Sequence, residues 1–281
     1  MSKCSSENAL PPQHFGAFAS SWANLRFPLR PNAETVQAFK TLANRHARVA
    51  PTITHVLGLT PEFVNTDWLE TKHLYAIDHS VEMIDALWAG NTGRRTVVKA
   101  DWTDNWPGVE PSGLTLGDGI LTLYDYPNGV RSLSESIARN QSEDALLLIR
   151  GFCQRQNPPS LREILTAARN HQITNFHEFK LLLLNATQGT NTYKGVKLAD
   201  VWDSFFHAFE SVERCLDQTG WPAEEVLTIH LYKDNQKIYH MATVQEIAQA
   251  MESQYSLIEQ TQIECSSFFS TPVMAFRKVA V

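Results

Sequence analysis

Four short stretches of this 281-residue chain carry residue types that could do chemistry together. The first is Gly58-Leu59-Thr60-Pro61-Glu62-Phe63. A glycine that closes a strand and leads into a helix start aims backbone N–H groups at whatever lies beyond it. A dinucleotide site would repeat the glycine as GxGxxG to admit pyrophosphate. Here Thr60 and Glu62 stand where glycines would follow, and Pro61 suits a first helical residue, which needs no N–H. A carboxylate at this turn is a poor neighbour for pyrophosphate and a tolerable one for a ligand bearing a cation and an ammonium group. The plainer reading is a strand-to-helix turn.

The second stretch ends in Asp78, twenty residues after Gly58. A carboxylate at such a strand end accepts both hydroxyls of a ribose. In the third, Ala100-Asp101-Trp102, the acid can accept from an exocyclic adenine amine and the indole can lie against a purine face. The fourth is Gly117-Asp118-Gly119. Each acid alone reads equally as a turn cap; those at successive strand ends together favour a nucleoside pocket.

The elements that must position these residues follow from the periodicity. Residues 32–48 read as a helix capped by Asn32, with Val36, Phe39, Leu42 and Ala43 on one face. Short apolar runs then recur at Ile53–Leu57, His73–Ile77, Thr96–Lys99, Leu114–Leu116 and Ala145–Ile149, separated by helix-length segments. That pattern predicts βαβ units around a parallel sheet buried on both faces. Nine of the thirteen glycines lie between Gly58 and Gly151, mostly at or just after the ends of these runs, the edge where open α/β sheets bind ligands. Asn157-Pro-Pro159 breaks the chain and Ser160 with Glu163 forms a capping box. Helical periodicity continues to about Cys215 through Phe176, Phe179, Trp202, Phe205, Phe206 and Phe209, too long for an ordinary connection. Thr243 and Glu246 form a second capping box, and Tyr255–Ile258 and Pro272–Phe276 read as the last two strands.

The ordered set Gly58-Leu-Thr-Pro-Glu-Phe63, Ile77-Asp-His-Ser-Val-Glu-Met-Ile84, Asp101-Trp102 and Gly117-Asp-Gly119 resembles the class I S-adenosylmethionine-dependent methyltransferases. It is most similar to a bacterial subgroup whose first motif reads Gly-Val-Thr-Pro-Glu-Leu. Trp22 and Pro28-Leu-Arg-Pro31 extend the likeness upstream. Phe179-Lys-Leu-Leu182 and residues 239–246 carry it more faintly downstream. The resemblance implies a Rossmann-like α/β fold with a seven-stranded, mostly parallel sheet, helices on both faces and a helical insertion after the fifth strand. It also implies S-adenosylmethionine as cofactor. Gly58, Thr60, Pro61 and Glu62 would lie along the methionine part, Asp78 would hold the ribose, and His79 and Met83 would flank the adenine. Asp101 would meet the adenine amine with Trp102 beside it, and Asp118 and Gly119 would lie near the amino-acid end and the transferred group.

For the reaction itself the candidates are Asp118 as a general base, or equally as the holder of the cofactor amino group, and Tyr124 and Tyr126 on the acceptor side. Trp22, Arg26 and Arg30 could form an N-terminal lid, an arginine there suiting a carboxylate-bearing acceptor. The expected organisation is a tail and lid helix over 1–50, with residues 1–14 a loose tail. A cofactor-binding core over 51–152 and 222–281 and an acceptor-capping insertion over 153–221 complete it.

Twenty-four basic against thirty acidic residues give a formal charge of −6 with no basic run, which disfavours nucleic acid as partner. No apolar stretch approaches a membrane span, and residues 1–12 lack an apolar signal core. A soluble, cytoplasmic enzyme acting on a small-molecule acceptor is the expectation, its oligomeric state open. Four scattered cysteines and ten histidines show no metal spacing, so no metal is expected and the thiols should be free and mostly buried. Two other readings stay open: S-adenosylmethionine chemistry other than methyl transfer, such as intramolecular alkylation or cyclisation, and a non-catalytic binder.

Overall fold

A computed structural model describes Ala19 and residues 22–279. The expected loose tail and Cys4 lie outside the described residues. After a turn at Trp22–Asn24, helix α1 (Ala33–His46) starts where Asn32 accepts the backbone N–H of Thr35 at 2.8 Å. Strands β1 (Ile53–Leu57), β2 (His73–Asp78) and β3 (Arg95–Lys99) follow, linked by the short helix α2 (Pro61–Val64) and by α3 (Val81–Leu87). Pro61 opens α2 as expected, and Ser80 caps α3 through the N–H of Met83. Strands β4 (Ser112–Asp118) and β5 (Gln141–Arg150) flank α4 (Asn128–Arg139).

The residues between β5 and position 243 form the insertion, with helices α5 (Leu161–Arg169), α6 (Phe176–Gln188), α7 (Leu198–Phe209), α8 (Val212–Thr219) and α9 (Ala223–Val226). Two-residue strands β6 (Val196–Lys197) and β7 (Ile238–Tyr239) pair antiparallel within it. Both capping boxes are formed, at α5 and at α10 (Val244–Met251). The chain ends in the hairpin β8 (Tyr255–Glu264) and β9 (Ser270–Lys278).

The main sheet has seven strands in the order β3-β2-β1-β4-β5-β9-β8. Strands β1 to β5 pair in parallel and β9 runs antiparallel to β5 and β8. This is the Rossmann-like, seven-stranded and mostly parallel fold that the resemblance implies. Strand order reverses at β1, so the crevice beyond the β1 and β4 carboxyl ends is the place where such sheets take ligands. Alternation along the strands feeds two cores. Leu57, Ile77, Leu147 and Ile149 join α4 and α10 on one face, while Val56, Ala76, Leu146 and Leu148 join α1 and α2 on the other.

The insertion has a third core of its own. Phe176, Phe179, Phe205 and Phe209 are fully buried there, with Trp202 and Phe206 packed against them. These rings pack on one another, with centres 5.3–5.8 Å apart for the pairs Phe176–Phe205, Phe179–Phe209 and Phe205–Phe209. This cluster also runs past the expected limit at 221, through Val226, Ile229, Tyr232 and Met241.

Candidate functional site

Register alone lines up the candidate residues. Leu57 pairs with Ile77 and with Gly117, Asp78 with Lys99, and Asp118 with Arg150. Reading along the carboxyl edge in strand order gives Asp101, Asp78, Gly58, Asp118 and Arg150. At about 4.8 Å per strand these five ends span roughly 19 Å.

Gly58 has φ +94°, which disfavours any side chain, and its N–H donates to the carbonyl of Ile77 at 2.8 Å. A Cβ at this position would stand 3.6 Å from the Trp102 ring and 4.0 Å from an Asp78 oxygen. The turn therefore brings bare backbone against both candidates. Asp78 is only 5% exposed. Its Oδ1 accepts the N–H of Ser80 at 2.9 Å, yet desolvation dominates and pushes its carboxyl up to about 6. A buried acid stripped of water in this way suits hydroxyl donors arriving from a ligand. His79, half-buried beside it, favours the ionised form by its charge.

Asp101 folds back on its own turn, its Oδ1 accepting from the N–H and hydroxyl of Thr103 at 2.8 and 2.7 Å. Both functions weighed for this acid can coexist, because the other carboxylate oxygen is not used by that turn. Trp102 is anchored inward, its indole N–H donating to the Ile77 carbonyl at 2.6 Å. It forms a wall of the crevice with a fixed ring edge. Met83 is buried in the core that includes Leu59 and Phe63.

Two expected reaction residues are held by their surroundings. Asp118 has its carboxylate engaged side-on by Arg150, with Nε to Oδ1 at 2.5 Å and Nη2 to Oδ2 at 3.0 Å. Burial raises its pKa while Arg150 opposes the rise, and the nearby Glu62 charge adds to it. A carboxylate whose two oxygens are both held is poorly placed as a general base. Tyr124 has its hydroxyl pushed far above the phenol range by burial and by the charges of Asp101, Asp78 and Asp104. Its ring centre is 6.5 Å from that of Trp102. It stands on the Trp102 and Asp101 side of the crevice, and a phenol held protonated in this way is a weak base candidate. Gly119 has φ +65°, and a Cβ there would meet the Phe152 ring at 2.6 Å.

The N-terminal residues reach the site, but not with free charges. Glu62 pairs with Arg30, whose guanidinium carbon lies 5.6 Å from the centre of the Trp22 ring. Glu62 Oε2 is buried without a hydrogen-bond partner. Arg26 pairs at 3.1 Å with Glu225 of α9. Asn24 and Phe27 lend their carbonyls to His177 and Asn175 of the insertion, both at 2.9 Å. Residues 22–30 thus form a strap that ties the insertion to the Gly58–Glu62 turn. The two arginines expected to receive an acceptor carboxylate are already occupied by protein carboxylates.

Tyr126 donates to the carbonyl of Glu246 at 3.3 Å and lines a small cavity with Thr122, Phe152, Cys153, His240 and Ala242. His240 was not singled out by spacing. Its Nδ1 lies 2.8 Å from the Thr192 carbonyl, which makes that nitrogen the protonated one, and its Nε2 is 3.6 Å from Asp125. Arg150 also escaped the sequence reading; a lone arginine after an apolar run gives no signal without the strand register. Cys153 and Cys215 are buried free thiols and Cys265 is a half-buried one. Among the described residues no group of His, Cys, Asp and Glu has the arrangement to hold a metal, and no helix is long and apolar enough to cross a membrane.

No protein-family model and no curated protein matches the chain. Solved structures do. The magnesium protoporphyrin IX methyltransferase ChlM of Synechocystis PCC 6803, solved with S-adenosylhomocysteine, aligns at TM-score 0.50 and 10% identity over 95% of this chain and 97% of that one. A protein of Nostoc punctiforme PCC 73102, provisionally named an O-methyltransferase, aligns at TM-score 0.51 and 10% identity over 94% of this chain and 60% of that one. A Rhodobacter sphaeroides protein, provisionally named a zinc-dependent alcohol dehydrogenase, aligns at TM-score 0.56 and 14% identity over 93% and 98%. At these identities the likeness establishes the fold.

Proposed function

We propose that this protein is an S-adenosylmethionine-dependent methyltransferase acting on a small-molecule acceptor. The observation that carries the reading is the row of acids on the carboxyl edge, with the closely approached, positive-φ Gly58 at its centre. The residues present fit the cofactor. Asp78, buried and lifted in pKa, would accept the two ribose hydroxyls. Asp101 would accept the adenine amine, with Trp102 and Tyr124 enclosing that end. Glu62 Oε2, a buried acceptor lacking a donor, would take an ammonium N–H. Bound S-adenosylmethionine supplies a methyl group on a cationic sulfur.

The protein's part is alignment and exclusion of water. Asp118, fixed by Arg150, would stand as an oriented charge for the cationic end of the ligand. The insertion and the strap would close the acceptor side, keeping the division into a cofactor core and an acceptor cap. The formal charge of −6 supports a small acceptor over nucleic acid; a cytoplasmic setting is part of the same proposal.

The test is calorimetric titration with S-adenosylmethionine and S-adenosylhomocysteine in chelator. Binding of either is expected, and binding of neither overturns the reading. Incubation with S-adenosylmethionine and a low-molecular-mass cell extract should release S-adenosylhomocysteine. Methylthioadenosine in its place would assign transfer of the aminocarboxypropyl chain.

A further inference from the structure

We propose that Arg150 is the receptor for a carboxylate at the acceptor end of the crevice. The inference rests on the methyltransferase reading for its setting and on Arg150 itself for its chemistry. Arg150 is 0% exposed at the end of β5. Its Nε–Nη2 edge is filled by Asp118. Nη1 lies on the opposite edge of the planar guanidinium, and it is buried with no hydrogen-bond partner. The Phe27 and Phe152 rings approach, their centres 5.7 and 5.3 Å from the guanidinium carbon. The group is therefore enclosed by one carboxylate and two aromatic rings, with a single donor edge unused.

An unmade hydrogen bond from a buried charged donor is costly, and native structures retain few of them. A carboxylate is the partner that suits this edge. It accepts from guanidinium N–H groups with charge assistance, and Arg150 would then bridge two acids. The other arginines considered for this role, Arg26 and Arg30, are paired with Glu225 and Glu62. The flanking rings favour an acceptor with a planar or apolar body behind its carboxylate. Of the two rings, Phe27 is a half-buried side chain on the strap.

The carboxylate has two conceivable sources, the acceptor or the cofactor's own amino-acid end, and one experiment separates them. Binding of benzoate and phenylacetate is compared with that of benzamide and phenylacetamide. The protein is used alone, saturated with S-adenosylhomocysteine, and saturated with methylthioadenosine, which lacks the amino-acid end. Calorimetry and the Arg150 Nε–H resonance give the readout. Carboxylates should bind at least tenfold more tightly than the amides and shift that resonance.

Persistence of the preference with S-adenosylhomocysteine bound assigns the acceptor as source. Preference only with methylthioadenosine bound or with the protein alone, together with S-adenosylhomocysteine binding at least tenfold more tightly than methylthioadenosine, assigns the cofactor. Arg150→Met combined with Asp118→Leu removes both charges, so no buried ion is stranded, and should abolish whichever preference is seen; Arg150→Lys should keep part of it. The inference is overturned if carboxylates and amides are indistinguishable in all three forms and the two nucleosides bind with the same ratio in wild type and double variant. Failure of both nucleosides to bind would overturn the methyltransferase reading. The carboxylate–amide comparison on the protein alone would still decide the role of Arg150.

Discussion

Asp78→Asn should make the protein more stable and its cofactor binding worse, and the two effects should part company with pH. Asp78 is 5% exposed, and burial lifts its carboxyl from the ordinary 3.8 to about 6. A folded pKa above the unfolded one means that the folded state holds the proton more tightly. Folding is then most favoured below about pH 4 and penalised progressively as pH rises to about 6. Two pKa units correspond to about 3 kcal/mol, an upper figure for the penalty at neutral pH. The neutral amide keeps an oxygen for the Ser80 N–H and avoids the cost of burying charge. Urea denaturation should find Asp78→Asn more stable by about 1–3 kcal/mol at pH 7.5, with the gap closing near pH 4. Losing a charge-assisted contact should weaken S-adenosylhomocysteine binding about tenfold or more. In the wild type the affinity should fall as pH drops through about 6. Equal or lower stability of the variant at pH 7.5, with no pH dependence of the difference, would refute the idea that this acid is held ionised against its surroundings.

Gly119→Ala should destabilise by about 1–3 kcal/mol, since φ is +65° and the added methyl would strike Phe152; urea midpoints measure it, and a neutral result would show that Phe152 moves aside freely. His55 and His177 are both lowered to about 4, mainly by burial. Their contribution to stability is complete above pH 6.5 and is lost as pH falls toward 4, so either His→Gln variant should show a shallower acid decline in urea titrations. Lys180, buried against Phe176 and Tyr232, is lowered to about 7 by desolvation, with the Glu225 charge opposing. Stability should therefore rise from pH 7 toward 10.5, and Lys180→Met should raise the thermal midpoint at pH 7 and remove that rise.

The parallel strands were readable because β-branched runs buried on both faces leave few polar interruptions. Strand β8 reads in the sequence as four residues and extends to Glu264, because its exposed Ser256, Gln260, Gln262 and Glu264 interrupt the apolar signal. The first half of β5 was hidden in the same way by Ser142, Glu143 and Asp144. Residues at strand ends could be placed in one row, since parallel register carries position from one run to the next. Partnerships could not. Glu62 and Glu225 are the groups that occupy Arg30 and Arg26, and Arg150 is what holds Asp118; none is a neighbour in sequence. Helical spacing located the aromatics of the insertion without telling which way they face, and a third hydrophobic core was the answer.

That third core gives the insertion a hydrophobic interior distinct from the two that line the sheet. Trp202 and Trp221 report on the insertion, while Trp68, Trp102 and Trp106 report on the sheet. The strap is the stitch between them, through Arg26 on one side and Arg30 on the other. A body with its own hydrophobic interior can loosen, drift in sequence or be remodelled while the strand-end acids keep their register.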